Sequence, residues 1–143
     1  MANSLTYDPS QVTVTFTGAN IHGFIDGSFI KAERDESAFF LQIGADGEFA
    51  RAKNKNKAGK VIVTLQQTSV SNDTFAAAAK LDELGNGGYG ALIIKDLNGT
   101  TLLNAQTAWV DKIAPLELGK ELGQREWVLR TGYIDIFVGG NPT

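Results

Sequence analysis

The chain has 143 residues, enough for one domain with a hydrophobic core of its own. Its 43% hydrophobic and 20% charged residues argue against wholesale disorder, and its net charge of -3 argues against a dedicated nucleic-acid-binding protein. It has no cysteine and a single histidine, His22, which excludes disulfides, thiolate chemistry and most zinc sites.

Glycine is abundant, with 16 residues, which is typical of an all-β chain with many tight turns. No apolar run approaches the roughly 18 residues of a membrane-spanning helix. The first ten residues, MANSLTYDPS, lack the basic and apolar regions of a signal peptide. We therefore expect a protein with no membrane anchor, made in the cytoplasm.

Strands dominate the first third of the chain. Residues 11–17 (QVTVTFT) alternate apolar and polar side chains, which predicts a half-buried strand. Residues 18–28 contain three glycines and predict a connection. The apolar segments 29–33 and 38–43 flank Arg34-Asp35-Glu36-Ser37, which predicts a hairpin with a charged tip.

A second turn is expected at residues 44–47, and a basic segment, residues 51–60, follows it. This segment carries five basic residues and no acidic residue. Three interpretations stay open: a solvated loop, a contact with another subunit and a contact with nucleic acid. No aromatic residue is interleaved for base stacking, which counts against the third interpretation.

A strand and then a helix follow the basic segment. Residues 60–67 predict a strand with Val61, Val63 and Leu65 on one face. The three-residue spacing of apolar side chains and a run of alanines then predict a helix over about 71–84. Ser69 or Ser71 is expected to cap its start, and Gly85 to end it.

The last third of the chain returns to strands. Asn98-Gly99, between two apolar segments, predicts a hairpin. A loop over 115–123 leads to a final strand region, 124–139. There one face is expected to carry Trp127, Leu129, Tyr133 and Phe137. The chain is thus predicted to be mainly β, with seven or eight strands, one helix and no dividing linker.

Few residues suggest chemistry. Residues 85–90 match the dinucleotide pattern G-x-G-x-x-G, but they follow a helix and precede a strand, the reverse of the required order. The acidic pairs Asp26 with Asp46 and Glu117 with Glu121 have no feature that places them in a pocket. No cofactor, metal site or catalytic residue is therefore predicted, and the aromatic residues are read as core.

The order of several segments resembles the small tail tube proteins of long-tailed bacteriophages, especially the contractile-tailed group. The segments are VTVTFTGANIHGF, IGADGEFARAKNKNKAGKVIVTLQQTSVSNDTF with the helix that follows, and REWVLRTGYIDIFVGGN. Each is weakly specific alone, but together they cover most of the chain in order and length. The resemblance implies one tail-tube-like domain over 1–143, a β-sandwich or half-barrel with long hairpins and one flanking helix.

The resemblance also implies a structural virion protein, related to the tube proteins of type VI secretion systems. Such subunits form hexameric rings that stack into a hollow tube through which DNA passes without specific binding. In that family a long loop after the second hairpin commonly reaches the adjacent ring, and the matching stretch here is 44–60. The implied inter-ring candidates are Arg51, Lys53, Lys55, Lys57, Lys60 and Asp46.

Acidic partners for these residues are expected among Glu117, Glu121, Asp35 and Glu36. The possible lumen-lining residues are Lys31, Glu33, Thr64 and Gln66. A net charge of -3 agrees with a lumen that lets DNA slide.

The implied partners are further copies of the chain, a sheath protein, a tape-measure protein, and terminator and baseplate proteins. The implied location is the virion tail, assembled in the host cytoplasm. One alternative is a monomeric β-sandwich binding module, such as a carbohydrate-binding domain with surface aromatic residues. Another is a β-rich enzyme with an unrecognised carboxylate site.

Overall fold

The structure, a computed structural model, describes residues 5–142, and within them it contains ten strands, one α-helix and one short 3-10 turn. The 3-10 turn is Pro9–Gln11 and the helix α1 is Ser71–Gly85. The strands are β1 Val12–Phe16, β2 Ala19–Ile21, β3 Ile30–Arg34, β4 Phe39–Ile43, β5 Phe49–Lys53, β6 Gly59–Gln66, β7 Gly90–Asp96, β8 Leu102–Lys112, β9 Gln124–Thr131 and β10 Asp135–Phe137. The mainly β class with one flanking helix is confirmed.

Eight strands form one antiparallel sheet, in the order β2-β1-β7-β8-β9-β6-β3, with β10 beside β8. We call this the main sheet. Strands β4 and β5 pair only with each other and form a separate two-stranded sheet. The expected inward face of β6 is confirmed, since Val61, Val63 and Leu65 are all fully buried.

The main sheet is strongly curled. Gly23 lies two residues after β2, yet its carbonyl already accepts a hydrogen bond from Gln66 N on β6 (2.8 Å). Four strands separate β2 from β6 in the sheet order. In a flat sheet those five strand spacings would measure about 24 Å, whereas two residues reach only about 7 Å. The sheet therefore rolls on itself into a half-barrel that encloses the core.

Helix α1 covers the interior of this half-barrel. Phe75 is fully buried, and its ring lies 5.5 Å from the rings of both Phe16 on β1 and Trp127 on β9. Trp127 Nε1 donates a hydrogen bond to Asn72 Oδ1 on the helix (2.9 Å). One helical side chain thus joins strands from both halves of the sheet.

The helix ends differ slightly from the prediction. The Ser69 hydroxyl accepts a hydrogen bond from Ser71 N (3.2 Å), so Ser69 caps the start although Val70 holds the formal N-cap position. The helix continues through Gly85, and the left-handed residue that ends it is Asn86 (φ 57°). Asparagine adopts this conformation more readily than most residues other than glycine, so the helix can end at Asn86.

The predicted hairpin between segments 29–33 and 38–43 is wrong. Strand β3 pairs with β6, because Ile30 and Ala32 pack against the hydrophobic core there. Strand β4 pairs instead with β5 across the turn at residues 44–47, where Gly47 has a φ of +87°. The burial of one face therefore determines the partner of β3, and the glycine turn determines the partner of β4. Closeness in the sequence determines neither.

Two further expectations fail. Residues 18–28 are not wholly a connection, because Thr17 and Gly18 both have positive φ and turn the chain tightly into β2. The final strand region does not keep one face, because it breaks between β9 and β10. Tyr133 and Phe137 are exposed there, and Ile134 is buried in their place.

The glycine-rich stretch 85–90 joins α1 to β7 as predicted, with Gly85 as the last residue of the helix and Gly90 as the first of the strand. The Asn98-Gly99 hairpin between β7 and β8 is also confirmed, although neither residue has a positive φ. Within residues 5–142, no helix has the length and apolar character needed to cross a membrane.

The connection after α1 supplies a test of packing. A side-chain carbon added at Gly88 would overlap the carbonyl group of Ala78, whereas one added at Gly87 meets nothing within 4 Å. We expect Gly88→Ala to lower the free energy of unfolding by about 1–3 kcal/mol, the usual cost of overpacking. Gly87→Ala, the matched control, should leave it unchanged or raise it slightly. Denaturant unfolding of both variants measures the difference, and equal stabilities would contradict the packing described here.

Candidate assembly surfaces

The β4–β5 hairpin, residues 39–53, projects from the protomer without covering any core. We call it the arm. All ten residues of its strands are exposed, and five of them are large and apolar, with exposed fractions of 41% to 77%. These five are Phe39, Phe40, Leu41, Ile43 and Phe49. A two-stranded hairpin is marginally stable alone in water, and exposed apolar patches mark interaction sites. The arm thus has the character of a binding surface.

The arm's register sorts its side chains onto two faces. Phe39 lies opposite Lys53, Leu41 opposite Arg51 and Ile43 opposite Phe49. Directly opposed residues share a face, so these six side chains form one apolar–basic face. The Arg51 guanidinium accordingly lies 4.1 Å from the centre of the Phe39 ring. The other face carries smaller or polar residues apart from Phe40.

A network of amides holds the base of the arm. Asn54 is buried, and its Nδ2 donates hydrogen bonds to Ser37 O (2.8 Å) and Glu36 Oε2 (3.2 Å). Its backbone N–H donates to Ala38 O (2.8 Å). Asn56 Nδ2 donates to the same Glu36 oxygen (2.8 Å). These bonds fix where the arm leaves the main sheet.

The candidates for inter-ring contact fall into two groups. Arg51 and Lys53 lie on the arm, Asp46 in its turn and Lys55 just beyond its base, all exposed. Within residues 5–142, Lys53 and Lys55 make no ion pair. They are therefore free to meet a partner.

Lys57 and Lys60 are engaged within their own protomer. Lys57 Nζ lies 5.2 Å from the centre of the Tyr133 ring, and Lys60 Nζ lies 3.7 Å from Glu33 Oε1. The expectation of one continuous basic loop is wrong, since the basic residues are divided between β5, the 54–58 connection and β6.

A second surface is formed by the side of β3, β6 and β9 that faces away from the core. We call it the outer sheet face. It carries three of the four predicted lumen residues as exposed side chains: Lys31, Glu33 and Gln66. Its charges alternate in sign, and Arg130 on β9 pairs with Asp35 (3.1 Å). Charges balanced in this way give neither a strongly basic nor a strongly acidic surface.

Thr64 does not fit the prediction of a lumen-lining side chain. It lies on β6 with only 5% of its surface exposed, because its backbone pairs with the segment before β3 on one side and with β9 on the other. A small side chain between Glu126 and that segment is covered by its neighbours.

The apolar surface of the arm is not among the features predicted from the sequence. Residues 38–43 (AFFLQI) are predicted there as an ordinary strand, although their apolar residues are adjacent rather than alternating. Such a run fits a strand with two apolar faces, and the structure leaves both faces uncovered. A carbohydrate platform finds little support, because Trp127 is buried at 4% exposure and Trp109 is half-buried.

The protomer is thus a curled antiparallel sheet with one flanking helix and an arm that exposes five large apolar side chains. Residues 10–139 match the family described as the Bacteriophage PhiTE tail tube protein. The match spans most of the chain, so the chain belongs to this family of phage tail tube proteins, and the resemblance in the sequence is confirmed. The protein is thus a structural component of a phage tail and of the virion.

One curated relative and three solved structures agree with this family. "Structural protein ORF10" of Pseudomonas phage KPP10 is 30% identical over 95% of this chain and 83% of that protein. The anti-feeding prophage cap, a tube-terminating cap, superposes with a TM-score of 0.61 at 11% identity, covering 96% of this chain and 95% of the other. At such low identity the likeness shows the fold alone.

The other two structures come from an extracellular contractile injection system in its extended state. Its sheath/tube terminator superposes with a TM-score of 0.62 at 12% identity, over 96% of this chain and 100% of the other. A chain of its sheath–tube complex superposes with a TM-score of 0.58 at 9% identity, over 93% and 92%. The curled sheet with its helix is therefore a fold found in contractile injection systems.

The network at the base of the arm predicts a measurable increase in local opening when it is removed. Asn54→Ala removes the side-chain hydrogen bonds with Ser37 O, Glu36 Oε2 and Asn56 N, a loss of about 1–3 kcal/mol in all, so local opening should increase about fivefold or more. Tryptic cleavage after Arg51 and Lys53 in unassembled subunits should accelerate accordingly. The free energy of global unfolding should fall by no more than the same amount, because the bonds of the network are absent from both the opened and the unfolded state. Asn104→Ala, at an exposed asparagine on β8, is the control, and unchanged cleavage in Asn54→Ala would contradict the role of the network.

Proposed function

We propose that this chain is the ring-forming subunit of a phage tail tube, and that six copies close into a ring and rings stack into a hollow conduit for DNA ejection. The observation that carries the proposal is the arm, a hairpin with five large apolar side chains exposed and no partner in its own protomer. Membership in the family indicates a tail tube protein, and the exposed apolar side chains of the arm indicate a contact with a second molecule.

A second copy of the chain is the partner that the arm suits best. Tube subunits in one phage tail are identical, so an arm that left one copy and met a different surface of the next would make a head-to-tail contact. Such a contact repeats without closing and builds a filament. Burying one side chain such as Leu41 contributes about 1.5–3 kcal/mol. Several such residues in each copy would hold rings together without any covalent link.

The outer sheet face is proposed as the lining of the lumen. Ring closure would join the main sheets of six copies side by side and remove their free edges, β2 and β3, as in a closed barrel. A lumen that passes DNA must not bind phosphates strongly, and a lining of paired charges such as Lys60 with Glu33 satisfies that requirement. Lys31, Glu33 and Gln66 would face the DNA, whereas the buried Thr64 would not.

The remaining parts of the proposal follow from the role of a tube subunit. The chain would act as a single domain over 1–143, catalyse nothing, bind no cofactor and pass DNA without specific recognition. Its partners would be a tape-measure protein inside the lumen, terminator and baseplate proteins at the tube ends and, in a contractile tail, a surrounding sheath. Assembly would take place in the host cytoplasm. The sheath–tube and terminator complexes among the structural neighbours are consistent with this set.

Electron microscopy of the purified protein, with sedimentation of the same sample, tests the proposal directly. We expect six-fold rings or hollow tubes from the wild-type chain. Leu41→Asp should abolish stacking, because a carboxylate replaces an apolar side chain that the partner would bury. Leu41→Met, the matched control, keeps the apolar character and should keep the tubes.

Circular dichroism should find the wild-type fold in both variants, since Leu41 covers no part of the core. A wild-type protein that stays monomeric at every concentration, even when tube ends or phage tail initiators are added, would overturn the proposal. Tubes formed by Leu41→Asp would remove the arm from its proposed role.

The lumen assignment can be tested by cysteine labelling, because the chain has no cysteine of its own. Lys31→Cys places a thiol on the outer sheet face, and Lys80→Cys places one on the exposed side of α1. In tubes, a small maleimide should label both variants. A maleimide carried on a globular protein wider than the lumen should label Lys80→Cys alone. Equal labelling of both variants in intact tubes would contradict a lumen-facing Lys31.

A further inference from the structure

We propose that the arm of one copy docks on residues 113–123 of a second copy in the next ring. These residues form an exposed loop between β8 and β9, which we call the leucine loop. The inference rests on the proposed function, since it names the surface that receives the arm.

The arm and the leucine loop lie at opposite ends of the same strands. The arm leaves the main sheet between Arg34 at the end of β3 and Gly59 at the start of β6. The leucine loop enters β9 at Gln124, which pairs with Gln66 at the far end of β6. Eight residues of β6 separate the two ends, a length of about 25 Å. A copy displaced along the strands would therefore bring its arm to the leucine loop of its neighbour.

The leucine loop is itself an unpartnered apolar surface on a fixed frame. Leu116, Leu118 and Leu122 are 71% to 81% exposed. Ala114 is buried in the core at one end of the loop, and at the other end Gly123 N donates to Gln67 Oε1 (2.9 Å). Anchored ends with exposed leucines between them are suited to receive the apolar–basic face of the arm.

Among the acidic residues expected to meet the basic segment, those of the leucine loop are the ones available for a contact between copies. Asp35 is paired with Arg130, and Glu36 accepts hydrogen bonds from two amides at the base of the arm. The two other acidic residues expected to meet the arm, Glu117 and Glu121, are exposed and make no ion pair within residues 5–142.

These glutamates alternate with the leucines, as the arm's cations alternate with its apolar residues. Two glutamates against one lysine, Lys120, give the leucine loop a net charge of -1. Opposite charges on two apolar surfaces set their register and exclude wrong pairings. Lys53 on the arm and Lys55 just beyond its base are the cations left free to meet them.

A charge exchange tests the docking. The arm variant Lys53→Glu with Lys55→Glu, and the loop variant Glu117→Lys with Glu121→Lys, should each reduce the yield of pelletable tubes at least tenfold. Combining all four changes should restore most of that yield, because the charges meet again with reversed sign. Circular dichroism should find every variant folded, since all four residues are exposed.

A matched control separates docking from net charge. The arm variant combined with Asp73→Lys and Glu83→Lys, both exposed on α1, has the same net charge as the four-change variant. It should not regain tubes. Rescue by this control as well, or no rescue by the loop changes, would overturn the docking while wild-type tubes still supported the proposed function. A wild-type chain that forms no tubes would instead count against the proposed function itself.

Zero-length cross-linking of wild-type tubes gives a second readout. A carbodiimide joins a lysine amine to a carboxylate only when the two are in contact. We expect Lys53 or Lys55 to be joined to Glu117 or Glu121. Tubes mixed from two isotopic forms of the protein should contain such links between light and heavy peptides. Links found only within one isotopic form, or none at this pair, would contradict the docking.

Discussion

The curl of the main sheet is the constraint on which the rest of the molecule depends. β2 lies at one end of the strand order and β6 near the other end, yet Gly23, two residues after β2, already hydrogen-bonds with β6. The sheet therefore encloses an apolar interior. Phe75 of α1 fills that interior between Phe16 and Trp127. The chain has no disulfide to hold the two ends together, so packing, backbone pairing and side-chain hydrogen bonds such as that of Trp127 with Asn72 maintain the half-barrel.

This closure divides the chain into residues that fold it and residues that are free for assembly. Within residues 5–142, the buried core comes from strands of the main sheet and α1, together with Ala114 and Ile134 in connections, and the arm supplies none of it. Substitutions in the arm therefore leave the protomer's stability nearly untouched. Its five exposed apolar residues lower the solubility of the free protomer. They contribute favourable free energy only when a partner covers them.

Much of the fold could be predicted from local patterns, because alternation and spacing report burial. The inward face of β6 and the span of α1 followed from such patterns. Strand pairing did not, since β3 joins β6 across 24 intervening residues while β4 turns back to β5. The candidate site was predicted as charge alone. The apolar part of the site could not be predicted, because a run such as AFFLQI has the same sequence pattern whether the core or another subunit covers it.

A contact between opposite ends of identical subunits has a consequence for tube length. The docked arm of one copy leaves that copy's own leucine loop free at the far end of the strands, so each added ring presents the same surface that the last one covered. Growth by this contact has no internal stop. Under the proposed docking, a defined tube length must come from components other than this chain: one that measures the tube and one that covers its last ring.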